Sequence, residues 1–228
     1  ETFPDGGWTG GLLYKYDFDL DADGRSDVIV LGAKAGALGR PRGLWFWDLE
    51  YGQLANVIET AGTPSSDPVS VDVNGDDFEE MIVGVESPGN GVVAGEWDDA
   101  HSYVLAVDHR GSVLWWRELG GMSSMVDIAA CDLDGDGAPE VVTSVGGYSE
   151  REQENFGVYV WAGLDGALLA ERHFGCPVTS VTAADVDGGA VIFAGASDGL
   201  VRRLGLSGGE LVTERELDCL DAVECVRL

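Results

Sequence analysis

Positive charge is what this chain has least of. It carries 13 Lys and Arg residues against 41 Asp and Glu, a formal net charge of −28, and its only lysines are Lys15 and Lys34. With no basic stripe to meet phosphates, direct nucleic-acid binding is not expected. Anionic membrane surfaces are disfavoured for the same reason. Long apolar runs are missing too. No stretch approaches the roughly 18 residues of a membrane span, so no direct membrane insertion is expected, and no signal peptide is visible after Glu1. Cysteine is sparse: Cys131, Cys176, Cys219 and Cys225 show no CxxC spacing. The histidines are not paired either, which speaks against a zinc site. The even cysteine count permits disulfides, with structural thiols the simpler reading. An acid-coated, lysine-poor surface stays soluble in high salt and fits a halophilic source.

Acid is not spread evenly. Asp19, Asp21, Asp23 and Asp27 stand at positions 1, 3, 5 and 9 of a turn, with Arg25 at position 7. The shape returns as Asp72, Asn74, Asp76, Phe78 and Glu80, and again as Asp132, Asp134, Asp136, Ala138 and Glu140. Oxygen ligands at 1, 3, 5 and 9, with a backbone carbonyl at 7, are what a hard cation such as Ca²⁺ requires. The spacing predicts about three Ca²⁺ per chain. Gly24 and Gly137 sit where the turn calls for positive φ, and Asp77 is a less favourable substitute there. An EF-hand begins with the same letters but needs a bidentate Glu at position 12 and flanking helices. Position 12 here is Val30, Val83 or Thr143, within β-branched runs that predict strands. Three Ca²⁺ would offset only six of the 28 negative charges, so the loops alone do not account for the acidity.

The loops recur with a period. Their starts, and that of a degenerate fourth loop at Asp185, lie at 19, 72, 132 and 185, spacings of 53, 60 and 53 residues. Each sits between the first two of four predicted strands. The reading is a single all-β domain over 1–228, a β-propeller of four-stranded antiparallel blades. The repeats are 11–62, 63–120, 121–175 and 176–217, and 218–228 is the first strand of a further unit. The fourth loop has lost its later ligands, and no metal is expected there. Trp45, Trp47, Tyr159 and Trp161 are assigned to packing between blades, and Trp115 and Trp116 to opposite faces of a blade edge.

The segments "DLDADGRSDVIV", "DVNGDDFEEMIV" and "DLDGDGAPEVVT" resemble the FG-GAP/VCBS repeat family, the calcium-bearing β-propellers of integrin α-subunits and many secreted microbial proteins. The pieces "YVLAVDHRGSVLWW" and "VYVWAGLDGALL" are similar to quinoprotein-type propeller hairpins, without a quinone site to carry over. The resemblance implies an extracellular or cell-surface location. Propellers of that family have about seven blades, so this ring closes as a small one, belongs to a larger one, or is completed by self-association.

In such a blade the calcium loops share one side, and the connections between second and third strands emerge on the other. There 86–102 and 146–157 are long, and long loops on a rigid scaffold are where binding resides. Glu96, Trp97, Asp98, Asp99 and His101 place an aromatic plate beside carboxylates, with Tyr148, Arg151 and Glu152 on a neighbouring wall. That composition suits a sugar or a basic protein partner. No nucleophile motif surrounds any histidine. The leading expectation is therefore a non-catalytic binding or adhesion module for a protein or glycan ligand. The alternatives are a polysaccharide lyase or hydrolase of the calcium-bearing propeller type, and a structural segment of a surface protein or filament.

Overall fold

The computed structural model describes residues 12–18, 28–34, 42–48, 52–64, 67–121, 124–147, 154–186 and 188–219, those at 12–18, 28–34, 47–48 and 124–125 by backbone only. The first predicted calcium loop (Asp19, Asp21, Asp23, Arg25, Asp27), Tyr148, Arg151, Cys225 and the predicted strand at the end of the chain lie outside the described residues, save for Asp218 and Cys219.

Strands follow the apolar, β-branched runs. The first sheet is β1 (Leu12–Phe18), β2 (Val28–Lys34), β3 (Gly43–Asp48) and β4 (Gln53–Glu59), each strand beside the next. In the second, β5 (Thr63–Pro64) and β6 (Val69–Val71) share one edge of β7 (Glu80–Glu86). A two-stranded ribbon of β8 (Val93–Ala94) and β9 (Trp97–Asp98) precedes β10 (Tyr103–Val107) and β11 (Val113–Glu118). The third sheet is β12 (Ser124–Cys131), β13 (Glu140–Gly147), β14 (Gly157–Ala162) and β15 (Leu168–His173). The fourth is β16 (Val178–Val186), β17 (Gly189–Ala196), β18 (Leu200–Ser207) and β19 (Glu210–Asp218). All pairings are antiparallel.

The broken edge strand of the second sheet has a cause in the sequence. Pro64 and Pro68 lack an N–H, and proline is tolerated only where no ladder donor is needed. β6 begins only after Pro68 and is three residues long.

Side chains alternate across each sheet and build three apolar layers. Leu44, Phe46 and Ile58 of the first sheet meet Met81, Val83, Val85, Leu105 and Val107 of the second. Ile82, Val104, Ala106 and Trp115 point the other way, onto Val126, Ile128, Val141, Tyr159 and Trp161. Val142, Val158 and Val160 then meet Val181, Ile192, Leu204 and Leu211 of the fourth sheet. Strands β7 and β13 are covered on both faces, so neither shows polar–apolar alternation: Met81–Val85 is apolar throughout, and Val141–Val145 is interrupted only by the buried Thr143 and Ser144. Each valine or leucine so enclosed contributes about 1.5–3 kcal/mol. Tyr159 and Trp161 pack between sheets, and Trp115 and Trp116 serve opposite faces, as the alternation predicts.

Polar contacts link each sheet to the next. Asn56 Nδ2 donates to the carbonyl of Gly111 at 2.5 Å, in the turn between β10 and β11. One sheet on, Arg117 Nε donates to the carbonyl of Gly166 at 2.7 Å, and Trp115 Nε1 to that of Gly163 at 2.7 Å. Gly166 (φ 67°) must be glycine here, because a Cβ would lie 2.6 Å from the Trp115 ring. In the fourth sheet, where the degenerate calcium loop was expected, β16 runs to Val186 and β17 begins at Gly189.

Candidate metal loops and the edge of the second sheet

The loop from Asp72 to Glu80 leaves β6 and enters β7. Asp72 accepts hydrogen bonds from the backbone N–H groups of Gly75 (Oδ1, 2.6 Å) and Asp77 (Oδ2, 3.0 Å). Asn74 Oδ1 accepts from the N–H of Asp76 at 2.9 Å, and Asp76 Oδ1 from that of Phe78 at 3.0 Å. Glu80 reaches back across the loop. Its Oε2 accepts from the Val73 N–H and its Oε1 from Asn74 Nδ2, each at 3.0 Å.

The loop from Asp132 to Glu140 repeats this scheme with different residues. Asp132 accepts from Gly135 (Oδ1, 2.8 Å) and Gly137 (Oδ2, 3.0 Å). Asp134 Oδ1 takes the Asp136 N–H at 3.1 Å, Asp136 Oδ1 the Ala138 N–H at 2.8 Å, and Glu140 Oε2 the Leu133 N–H at 2.7 Å. Asp77 (φ 70°) and Gly137 (φ 94°) take the left-handed conformation that the spacing calls for. A second left-handed position, Gly75 and Gly135 (φ 76° and 81°), was legible as a glycine shared by both loops but not assigned a conformation. No helix flanks either loop, in keeping with strand–loop–strand geometry.

These residues fit a hard cation. Carboxylate oxygens of Asp132, Asp134 and Asp136 lie within 4.8 Å of one another. The last ligand position is buried in both loops, Glu80 at 0% and Glu140 at 4% exposure. Burial pushes the Glu80 carboxyl up to about 7. The Val73 N–H opposes the rise, while the charges of Asp76, Asp72 and Asp108 add to it. Glu140 is raised for the same reasons, burial first and then Asp134, Asp136 and Asp132.

A raised folded-state pKa means that the native protein holds a proton the unfolded chain has released. Metal-free stability therefore falls as pH rises from about 4.5 through about 7, by on the order of 3 kcal/mol from Glu80 alone. Urea unfolding in chelator at pH 5 and pH 7.5 measures this. Equal midpoints at the two values would refute it.

The candidate ligand residues of 86–102 divide into two groups. Asp99 is buried, 2% exposed. Its carboxylate accepts from the N–H groups of Asn90 (3.1 Å) and Gly91 (2.9 Å), and from Arg42 Nη1 at 3.0 Å. Burial would raise this carboxyl, but donors from Val92, Arg42, Asn90 and Gly91 outweigh it and hold it below the usual range. Arg42, itself 2% exposed, also donates to the carbonyl of Ala61 at 2.6 Å and to Asn90 Oδ1 at 2.9 Å. Asp99 therefore holds the connection onto the first sheet instead of facing solvent. Spacing could not show this, because the partner lies 57 residues away in a segment that reads as a Gly/Ala/Pro link.

The other residues gather at the outer edge. Trp97 packs against the first apolar layer and sits edge-on to Trp116, centroids 6.2 Å apart. Its Nε1 is enclosed without a hydrogen-bond partner among the described residues. Glu96, exposed, accepts from Trp116 Nε1 at 3.2 Å. Asp98 Oδ1 lies 2.9 Å from His101 Nδ1, and His101 Nε2 lies 3.6 Å from Glu118. Tyr103, which the sequence reading did not single out, completes the group by donating its hydroxyl to the Asp98 carbonyl at 2.6 Å. Four of the five residues proposed in this loop thus meet at one edge, with Tyr103, Trp116 and Glu118 added.

No protein-family model matches the chain, and no curated protein matches it in sequence. Solved structures do. The Dos1 propeller superposes over 94% of this chain with a TM-score of 0.57 and 13% identity. BBS1N, solved in complex with ARL6DN and soaked with lead, does so over 90% with a TM-score of 0.54 and 14% identity. The fold is a β-propeller. A Bacillus licheniformis rhamnogalacturonan lyase, PL11, is similar over 84% of the chain, TM-score 0.50 and 15% identity. At these identities the likeness is one of fold. The chain spans 48%, 55% and 42% of those three chains respectively, about half of each.

Proposed function

We propose that this propeller is a non-catalytic, calcium-stabilised binding module of the extracellular or cell-surface kind, of the FG-GAP/VCBS type. One observation carries the calcium reading. Two loops of different sequence use their first Asp and last Glu in the same way, gathering backbone N–H groups while holding several carboxylates together. Asp72, Asn74, Asp76 and Glu80 would hold one Ca²⁺, and Asp132, Asp134, Asp136 and Glu140 another, with the carbonyls of Phe78 and Ala138 available as neutral ligands. Bound Ca²⁺ supplies positive charge that relieves the repulsion among these groups. Asp19, Asp21, Asp23, Arg25 and Asp27 would form the third site.

The ligand surface is the outer edge of the second sheet, on the side opposite the metal loops. Support comes from its rigidity and composition. The Asp99–Arg42 pair fixes the connection, and Trp97 and Trp116, the latter packed edge-on to the buried Tyr103, offer apolar faces beside Glu96, Asp98 and Glu118. Such a surface suits a sugar ring, which stacks on aromatics, or a basic protein segment.

Native mass spectrometry with and without calcium, followed by a glycan array and a panel of cell-surface proteins, tests both halves. Ca²⁺ retained on a stable monomer is expected, whereas a larger species would place ring completion by self-association first. Glu96→Ala combined with His101→Ala, at exposed or half-exposed groups, is expected to weaken capture about tenfold with the Tm unchanged. Undiminished capture would reject this edge as the site.

A further inference from the structure

The two described metal loops differ in one respect. Turn residues equivalent in the two blades, counted back from Gly111 and Gly166, are His109 and Leu164. Leu164 is 65% exposed and offers nothing to its loop. His109 bends over the loop beside it. Its ring stacks on Phe78, centroids 4.4 Å apart and planes 24° from parallel. One ring nitrogen of His109 and one carboxylate oxygen each from Asp76 and Glu80 lie within 4.8 Å of one another. Independently, Nδ1 of His109 is enclosed without a hydrogen-bond partner among the described residues. A polar atom shut away from water and left unpaired costs about 1–3 kcal/mol, so its presence calls for a compensating interaction.

We propose that Asp76, Glu80 and His109 form a mixed nitrogen–oxygen site for a borderline divalent transition metal, Zn²⁺, distinct from the all-oxygen loop at Asp132–Glu140. The inference rests on the reading of the Asp72–Glu80 loop as a cation loop and changes which cation it selects. Carboxylate and carbonyl oxygens suit Ca²⁺, whereas an imidazole favours Zn²⁺ and its neighbours in the first transition row. Imidazole and carboxylate are both zinc ligands, and three protein ligands are the number that an open zinc site uses. Phe78 sets the plane of the imidazole by stacking and so fixes which way its nitrogens point. Linear spacing hid this site, because the histidine comes from a different hairpin, 29 residues beyond Glu80.

The test is native mass spectrometry and histidine ring NMR on the whole chain, stripped with chelator and then titrated with ZnCl₂ in excess Ca²⁺. One Zn²⁺ per chain that millimolar Ca²⁺ does not displace is expected, with ring nitrogen shifts confined to one of the three histidines. His109→Asn should weaken Zn²⁺ binding about 100-fold or more, while Asp134→Ala and His101→Asn leave it unchanged. Ca²⁺ binding with no Ca²⁺-resistant Zn²⁺, or Zn²⁺ unaffected by His109→Asn, overturns the mixed site and leaves the calcium reading standing. Binding of neither ion overturns both. The ring shifts are read on the unsubstituted protein, so a variant that fails to fold does not blunt the test.

Discussion

Asp99→Ala is expected to destabilise the folded protein by about 3–5 kcal/mol, the cost of stranding one member of a buried ion pair. Arg42 would keep its charge at 2% exposure, still donating to the Ala61 carbonyl and Asn90 Oδ1 but without the carboxylate that balances it. The N–H groups of Asn90 and Gly91 would lose their acceptor as well. For a domain of this length, 1 kcal/mol moves the Tm by roughly 2–4 °C, so a fall of about 6–20 °C should be seen by circular dichroism. Arg42→Met combined with Asp99→Leu should cost less than the two single changes added together, since no buried charge is then left alone. A single-variant loss below about 1 kcal/mol would mean that water reaches the pair.

Removing calcium is the second large effect. If each described loop binds Ca²⁺, free ion at a hundredfold excess over Kd stabilises the fold by about 2.7 kcal/mol per loop, or about 5 kcal/mol for the two. Excess chelator should therefore lower the Tm by roughly 10–20 °C, and added Ca²⁺ should restore it. Chelation should also expose the pH dependence of Glu80 between about 4.5 and about 7. Calcium bound at the proposed site would suppress that dependence by replacing the proton. Carboxyls held low by their donors, such as Asp99 and Asp198, act in a separate window and lose their contribution only as pH falls below about 4. An identical Tm in chelator and in calcium would reject these loops as structural metal sites.

What could be read from the sequence follows physical range. The strands were legible because β7 and β13 are buried on both faces, leaving an apolar run at Met81–Val85 and a run of small and β-branched residues at Val141–Val145. The two candidate metal loops were legible as turns because their hydrogen bonds close within eight residues, from Asp72 to Glu80 and from Asp132 to Glu140. Asp99 was misplaced because its charge partner, Arg42, lies on another sheet. A carboxylate in an acidic loop gives no local sign that it is enclosed. The ribbon of β8 and β9 went unseen for a related reason: two-residue strands carry too little alternation to be noticed, although Gly95 (φ 60°) marks their turn. Tyr103 was not singled out because it opens a strand and is core at 3% exposure, while its hydroxyl reaches the edge group.

The contacts from each sheet to the following hairpin turn bear on how such a chain can lengthen. Asn56 and Arg117 are chemically unrelated, yet both donate to the carbonyl of the glycine at the same place in the next hairpin, Gly111 or Gly166. The acceptor belongs to the backbone, so it is the same whatever side chains a blade carries. A duplicated or excised blade therefore presents its neighbour with a socket already compatible with the incoming donor. At these two seams the hydrogen bond therefore places no demand on the side chains of the accepting blade.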